Sequence, residues 1–207
     1  MRSKNIFIYL AFSIVLLSCG KGIIGPARVQ GLVSDATTLD PIYNAKVYLL
    51  EAKNAFDPFG PPPSWYVIDS ATTGAFGKFS IQYDERDGYR YSVDAFKEHY
   101  LVAINPESIL SLGSGIDVEV QLFPEAFLKV HIHNVNTYDP WDYIGINGLE
   151  NGPYYGNEVD TIELKQVRGN ETTTLYSFLY DDGENAGSVE HAVYCPAFDT
   201  TYFEILY

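Results

Sequence analysis

Basic residues are scarce in this chain: 13 Lys and Arg stand against 27 Asp and Glu, for a formal charge of −14 over 207 residues. A surface of that sign repels phosphate backbones and anionic headgroups, so nucleic acid is excluded as a partner. Cysteine is nearly absent, with only Cys19 and Cys195, and methionine occurs once. Two cysteines make no disulfide framework. Beyond residue 20 no apolar run approaches the ~20 residues that span a bilayer as a helix. Catalytic signatures are missing as well. There is no G-x-S-x-G elbow, no H-E-x-x-H, no P-loop and no C-x-x-C. Carboxylates are so plentiful that no single pair stands out as a glycosidase acid and base. The expectation is a chain that is not an enzyme, with no catalytic residue, no cofactor and no resident metal.

What the sequence does have begins at its first residues. Arg2 and Lys4 precede an apolar run from Ile6 to Leu17, and Leu16-Leu17-Ser18-Cys19-Gly20 follows. A basic start, a short apolar stretch and a small residue before a cut are the parts of an export signal. Leu16, Ser18 and Cys19 resemble the lipobox of bacterial lipoproteins. That resemblance implies cleavage after Ser18 and a diacylglyceryl thioether on Cys19, whose thiolate accepts the lipid. Several acyl chains on one residue anchor firmly, each buried CH₂ contributing about 0.8 kcal/mol. Residues 1–18 are then a signal peptide and residues 19–27 a lipidated Cys and linker. Removing Arg2 and Lys4 leaves 11 of the 13 basic residues against 27 acidic ones, or −16. Cys195 remains alone, in the strand-like His191–Cys195, and reads best as a small buried hydrophobe.

The residue usage from Arg28 onward is that of pleated sheet. There are 17 Tyr and 12 Phe, and aromatic and β-branched residues favour half-buried extended surfaces. Short alternating stretches recur between turn signals. Arg28–Val33, Ala45–Leu49, Trp65–Thr72, Lys78–Tyr83, Tyr89–Ala95, Tyr100–Ile104 and Ile116–Leu122 read as strands. Asp40-Pro41, Gly74–Gly77 and the hairpin-type Asp87-Gly88 read as turns. Pro106–Leu112 is the one stretch that could wind a helical turn or two. About seven short strands with regular turn signals argue for a β-sandwich over residues 28–123.

In this region Gly31, Asp40-Pro41-Ile42, Ala45–Leu49, Gly77-Lys78-Phe79 and Tyr91-Ser92-Val93 resemble the carboxypeptidase regulatory-like domain. The resemblance implies a transthyretin-like Greek-key β-sandwich. Asn44 departs from it, standing where many members have Gly, but Asn tolerates a left-handed turn. In carboxypeptidases the module accompanies a separate zinc catalytic domain. Nothing of that domain is found here, so the resemblance implies display or protein contact.

Pro124 marks a boundary, and residues 124–207 read as a second, smaller antiparallel β-sandwich, or else as the completion of a single larger sheet system with the first half. Leu128, Val130 and Ile132 fall on one face of Phe127–His133, with Lys129, His131 and His133 on the other. Further strands are expected at Tyr143–Ile146, Thr161–Arg168, Thr172–Leu179, Gly187–Cys195 and Thr201–Leu206. His131 and His133 point the same way, but a metal site needs a third ligand, and His191 is the only other histidine in this half. They are therefore read as solvent-facing. Asp181–Asn185 is read as a turn.

The most suggestive candidates are aromatic. Phe56, Phe59, Trp65 and Tyr66 flank the Pro61-Pro62-Pro63 run, and Tyr138, Trp141, Tyr154 and Tyr155 gather around the other long loops. Exposed rings can anchor a protein partner or stack on a sugar. The expected function is that of a non-catalytic envelope lipoprotein, held at the membrane by Cys19 and presenting β-sandwiches to an envelope protein partner. The alternative is a surface glycan-binding lipoprotein. Lys21 is the only charge just after Cys19, which favours the outer membrane and its periplasmic face.

Overall fold

The computed structural model describes residues 23–53, 64–101, 116–135, 141–156, 158–181 and 183–207. The Cys19 region, Phe56 and Phe59 with the proline run, Pro106–Leu112 and Tyr138 lie outside the described residues. Within them the fold is all-β, as expected. The first part contributes β1 (Ile23–Asp35), β2 (Lys46–Lys53), β3 (Tyr66–Thr72), β4 (Lys78–Arg86), β5 (Tyr89–Phe96) and β6 (Tyr100–Leu101). A long β7 (Ile116–His133) follows. The second part adds β8 (Tyr143–Asn147), β9 (Tyr154–Tyr155), β10 (Asp160–Arg168), β11 (Glu171–Asp181), β12 (Glu184–Cys195) and β13 (Thr200–Leu206).

Two hydrophobic cores form, one on each side of Pro124. In the first, β1 lies between β4 (antiparallel) and the front of β7 (parallel), while β2 lies between β3 and β5. Alternation puts Val29, Val33, Val47, Leu49, Val93 and Leu122 inside, all fully or almost fully buried. Gly31 sits in the middle of β1 because a Cβ there would run into the Val118 carbonyl of β7. Asn44 takes φ +56° and Gly77 φ +68°, the left-handed conformations that their turns require.

The second core packs β10–β7–β13 against the sheet β12–β11–β8–β9. Leu128, Val130 and Ile132 of β7 and Ile205 of β13 meet Ile144, Leu175, Val193 and Cys195. Cys195 is fully buried with its thiol toward Val193 O, the small-hydrophobe role read from its strand. All pairs in this half are antiparallel except β7–β13, which runs parallel.

The structure departs from the expected boundaries at three places. Ile23–Ala27, read as linker, already belongs to β1: Ile23 pairs with Arg86 and Pro26 with Asp84, across a bulge. Pro124 does not end a strand. Even-numbered side chains point inward from Val120 through Leu122, Pro124 and Ala126 to Ile132, so the alternation is unbroken. What changes at Pro124 is the partner, from β1 up to Leu122 to β10 from Glu125. Its carbonyl accepts from Gly169 N and the next amide donates to His99 O, so the missing N–H interrupts no needed bond. Finally, Asp87-Gly88 is a tight turn but no hairpin, since β4 and β5 belong to different sheets. The turn carries the chain from one layer to the other, with the Tyr83 and Tyr91 rings 4.8 Å apart behind it.

Contacts across Pro124 brace the two halves. Asn170 donates to Thr37 Oγ1, Phe198 meets the edge of Tyr100, and the Arg168 guanidinium lies 3.9 Å over Phe123.

Candidate functional site

The outer face of β10–β7–β13 gathers groups that chemistry can use. Pairing register sets three rows of three. Leu164, Lys129 and Tyr202 form the first row, Ile162, His131 and Glu204 the second, and Asp160, His133 and Leu206 the third. The flanks are apolar and open to solvent: Leu164 is 63% exposed, Tyr202 56%, Leu206 55% and Ile162 53%. The centre is ionisable. His131 Nε2 lies 2.6 Å from Asp160 Oδ1, and His131 Nδ1 lies 2.9 Å from both Glu204 Oε1 and Tyr202 Oη. The hydrogen bond to Asp160 foremost, with Glu204 behind it, raises the His131 pKa. The same bond lowers that of Asp160. The His133 ring stands 5.5 Å from that of His131. The two imidazoles share a face, as their spacing required, but the carboxylates beside them come from strands far away in sequence.

The aromatic candidates do not form one site. Trp65 is half-buried, with the Arg90 guanidinium 5.7 Å over its ring, and Tyr66 is exposed on the edge strand β3 of the first half. Trp141, Tyr154 and Tyr155 belong to the second half. Tyr154 turns partly inward, and its hydroxyl reaches Glu163 and the Asn151 carbonyl. Burial, then the Glu163 bond, pushes its pKa up. Tyr155 faces out with its ring tilted against that of Tyr143 at 4.9 Å, and Tyr143 stacks nearly parallel on Tyr180 at 4.4 Å. The result is a tyrosine ladder across β9, β8 and β11, with the exposed Trp141 next to it in sequence. Tyr180 lies one residue past the strand expected at Thr172–Leu179, where the β11–β12 register shifts. Only the register, Tyr180 opposite Tyr143, makes it part of the ladder.

No family model matches this chain, and no curated protein matches it. Solved structures similar to this chain include pilins. The shaft pilin SpaA from Lactobacillus rhamnosus GG shares 11% identity, over 88% of this chain and 96% of that one, at a TM-score of 0.34. GBS52, the minor pilin of Streptococcus agalactiae, shares 12%, over 87% and 94%, at 0.36. The Bacillus anthracis TIE protein shares 13%, and the chain spans 34% of its length, with 88% of this chain covered and a TM-score of 0.34. Likeness at this level says nothing of what the present chain binds.

One further pair lies inside the second sandwich. Ser177 Oγ and His191 Nε2 are 2.9 Å apart across β11 and β12, beside a cavity of about 250 Å³ lined by Ile144, Ile205 and Tyr207. A hydroxyl next to an imidazole is half of a nucleophilic arrangement. Among the described residues, however, no carboxylate is bonded to the other ring nitrogen, and Phe203 packs edge-on against the ring. The pair therefore reads as a cross-strand tie.

Burial holds the His191 pKa below its ordinary 6.5. The unfolded chain then takes up a proton here before the folded one does. Stability from this group is complete above about pH 6.5 and is lost as pH falls toward the depressed folded value. Urea midpoints at pH 8 and pH 5 should therefore differ more for the parent chain than for His191→Gln. Equal differences would show that His191 does not contribute to the acid limb.

Proposed function

We propose that this chain is a non-catalytic lipoprotein of the bacterial envelope that docks a protein partner on the outer face of β10–β7–β13. The observation that carries the reading is the set of four large apolar side chains, Ile162, Leu164, Tyr202 and Leu206, each more than half exposed on one flat sheet face. Apolar flanks around a charged centre suit a protein surface, with the flanks supplying contact area and the ions fixing register. Residues 28–123 serve in this reading as a carboxypeptidase regulatory-like, transthyretin-like sandwich that supports the second unit. The lipid on Cys19 holds the chain at the outer membrane, facing the periplasm, where effective concentration lets a modest affinity suffice.

Photo-crosslinkers at positions 164 and 202 test the docking face. A discrete protein adduct from both positions in intact cells, and none from exposed position 76 on the first half, is the expected result. Absence of any adduct from positions 164 and 202 would sink the reading. The anchor is tested separately: Cys19→Ser should abolish lipid labelling and leave the signal peptide attached. An acylated Cys19→Ser protein would disprove it.

The tyrosine ladder supports a second reading, binding of a glycan. Tyr155 and Trp141 are its exposed rings, and an exposed aromatic face offers contact area to a sugar ring. Glycan-array signal lost in Trp141→Ala and Tyr155→Ala but kept in Leu164→Ala would favour it over the first.

A further inference from the structure

We propose that His131, His133 and Glu204 form a binding site for a borderline divalent transition cation, Zn²⁺ foremost, with Asp160 orienting His131. One nitrogen from each imidazole and one carboxylate oxygen of Glu204 already lie within 4.8 Å of one another. Three ligands on a tetrahedral zinc, at bonds of about 2.1 Å, stand roughly 3.4 Å apart. Closing the set takes about 1.5 Å at most, and His131 Nδ1 and Glu204 Oε1 are inside that spacing at 2.9 Å. The moving parts are side-chain torsions at the surface, not backbone.

The arrangement around His131 distinguishes this cluster from a chance meeting of surface charges. Its two nitrogens face different carboxylates. Asp160 holds Nε2 at 2.6 Å, which leaves Nδ1 directed at Glu204 and Tyr202. A carboxylate on the far nitrogen fixes the tautomer and makes the near nitrogen a better donor, the usual support for a metal-ligating histidine. An ion on Nδ1 takes that lone pair, a proton carried there leaving to solvent, and Asp160 keeps the Nε2–H. Lys129 is the one lysine or arginine in the three rows; it lies one row from His131, and His133 is on the far side.

The donor set chooses the class of ion. Two imidazoles and one carboxylate match Zn²⁺, Cu²⁺ or Ni²⁺. Ca²⁺ and Mg²⁺ prefer six or more oxygens, which this face does not offer. Three protein ligands also leave one position open to water or to a side chain of whatever covers the face. Bound here, the ion would link the central strand β7 to the edge strand β13, whose register with β7 places Glu204 opposite His131.

The test uses the full chain in detergent, without a histidine tag and stripped with chelator. Titration with ZnCl₂ should show one saturable site per chain. His133→Ala and Glu204→Gln should each weaken it at least tenfold, and Asp160→Asn should weaken it about tenfold. His99→Ala, a histidine on the other half, should leave it unchanged, and MgCl₂ and CaCl₂ should not compete. Because a variant can lose its fold, the unmutated chain supplies a second readout. In NMR spectra of the ring protons, zinc should shift two of the four histidines, His131 and His133, and leave His99 and His191 in place. No saturable uptake at micromolar zinc overturns the site. So does uptake that survives both His133→Ala and Glu204→Gln, or ring shifts at His99 or His191 instead.

Discussion

Gly31→Val is expected to leave little folded protein. Gly31 pairs with Phe79 on one side and Val118 on the other, in the strand at the centre of its sheet. Any Cβ at this position overlaps the Val118 carbonyl, which is main chain and cannot rotate away. Relief requires β1 and β7 to separate, with loss of ladder bonds on both sides of the contact. Overpacking of this kind costs about 3 kcal/mol or more, against a total stability of roughly 5–15 kcal/mol for a native chain. The measurement is the yield of soluble chain and its denaturant midpoint. A midpoint within error of the parent would show that β1 and β7 do not approach as described. Gly88→Ala is the matched control for positive-φ strain alone, since nothing lies within 4 Å of a Cβ there; it should cost about 1 kcal/mol.

Leu128→Ala removes a fully buried side chain from the middle of the second core. Large-to-small changes at such sites cost about 2–5 kcal/mol, which for a chain of this size lowers the melting temperature by roughly 10 °C. The position also reports on the division at Pro124. Leu128 belongs to the second hydrophobic cluster, and Tyr83 and Tyr91 to the first. With two folding units, the loss falls on the transition of the second cluster, while the near-ultraviolet signal of the tilted Tyr83–Tyr91 pair keeps its midpoint. A common shift of both signals would instead make β7 the backbone of one cooperative unit.

Strand positions were legible because period-2 alternation is a local signal. Leu128, Val130 and Ile132 against Lys129, His131 and His133 could be sorted by face without knowing any partner, and the sorting held. Pro124 misled for a physical reason. Its ring suits an inward slot where the strand changes partners, so a residue that elsewhere breaks ladders here sits inside one. The two-residue turn at Asp87-Gly88 was equally local, and turn chemistry does not say whether the strands it joins will pair. The candidate site was half visible. The spacing of His131 and His133 revealed two imidazoles on one face. Glu204 comes to them only through parallel pairing with a strand more than 70 residues later, and Asp160 only through the neighbouring antiparallel one. Such pairings are tertiary facts with no trace in a local window. The short β9 was hidden for a related reason: Tyr154–Tyr155 reads as an aromatic loop until Tyr143 is placed opposite.

Under the proposed lipid anchor, the early start of β1 sets how the chain would meet a membrane. Three residues separate Cys19 from Ile23, four peptide steps away and the first described residue held in a ladder. With the lipid on Cys19, the sheet begins within about 14 Å of the thioether, at roughly 3.5 Å per residue. The first sandwich would then be kept close to the headgroups. Any tug on the outer end of a chain so anchored would reach the lipid along β1. That strand is gripped lengthwise by β4 and by the front of β7, so the load falls on many ladder bonds in shear at once instead of peeling them one by one.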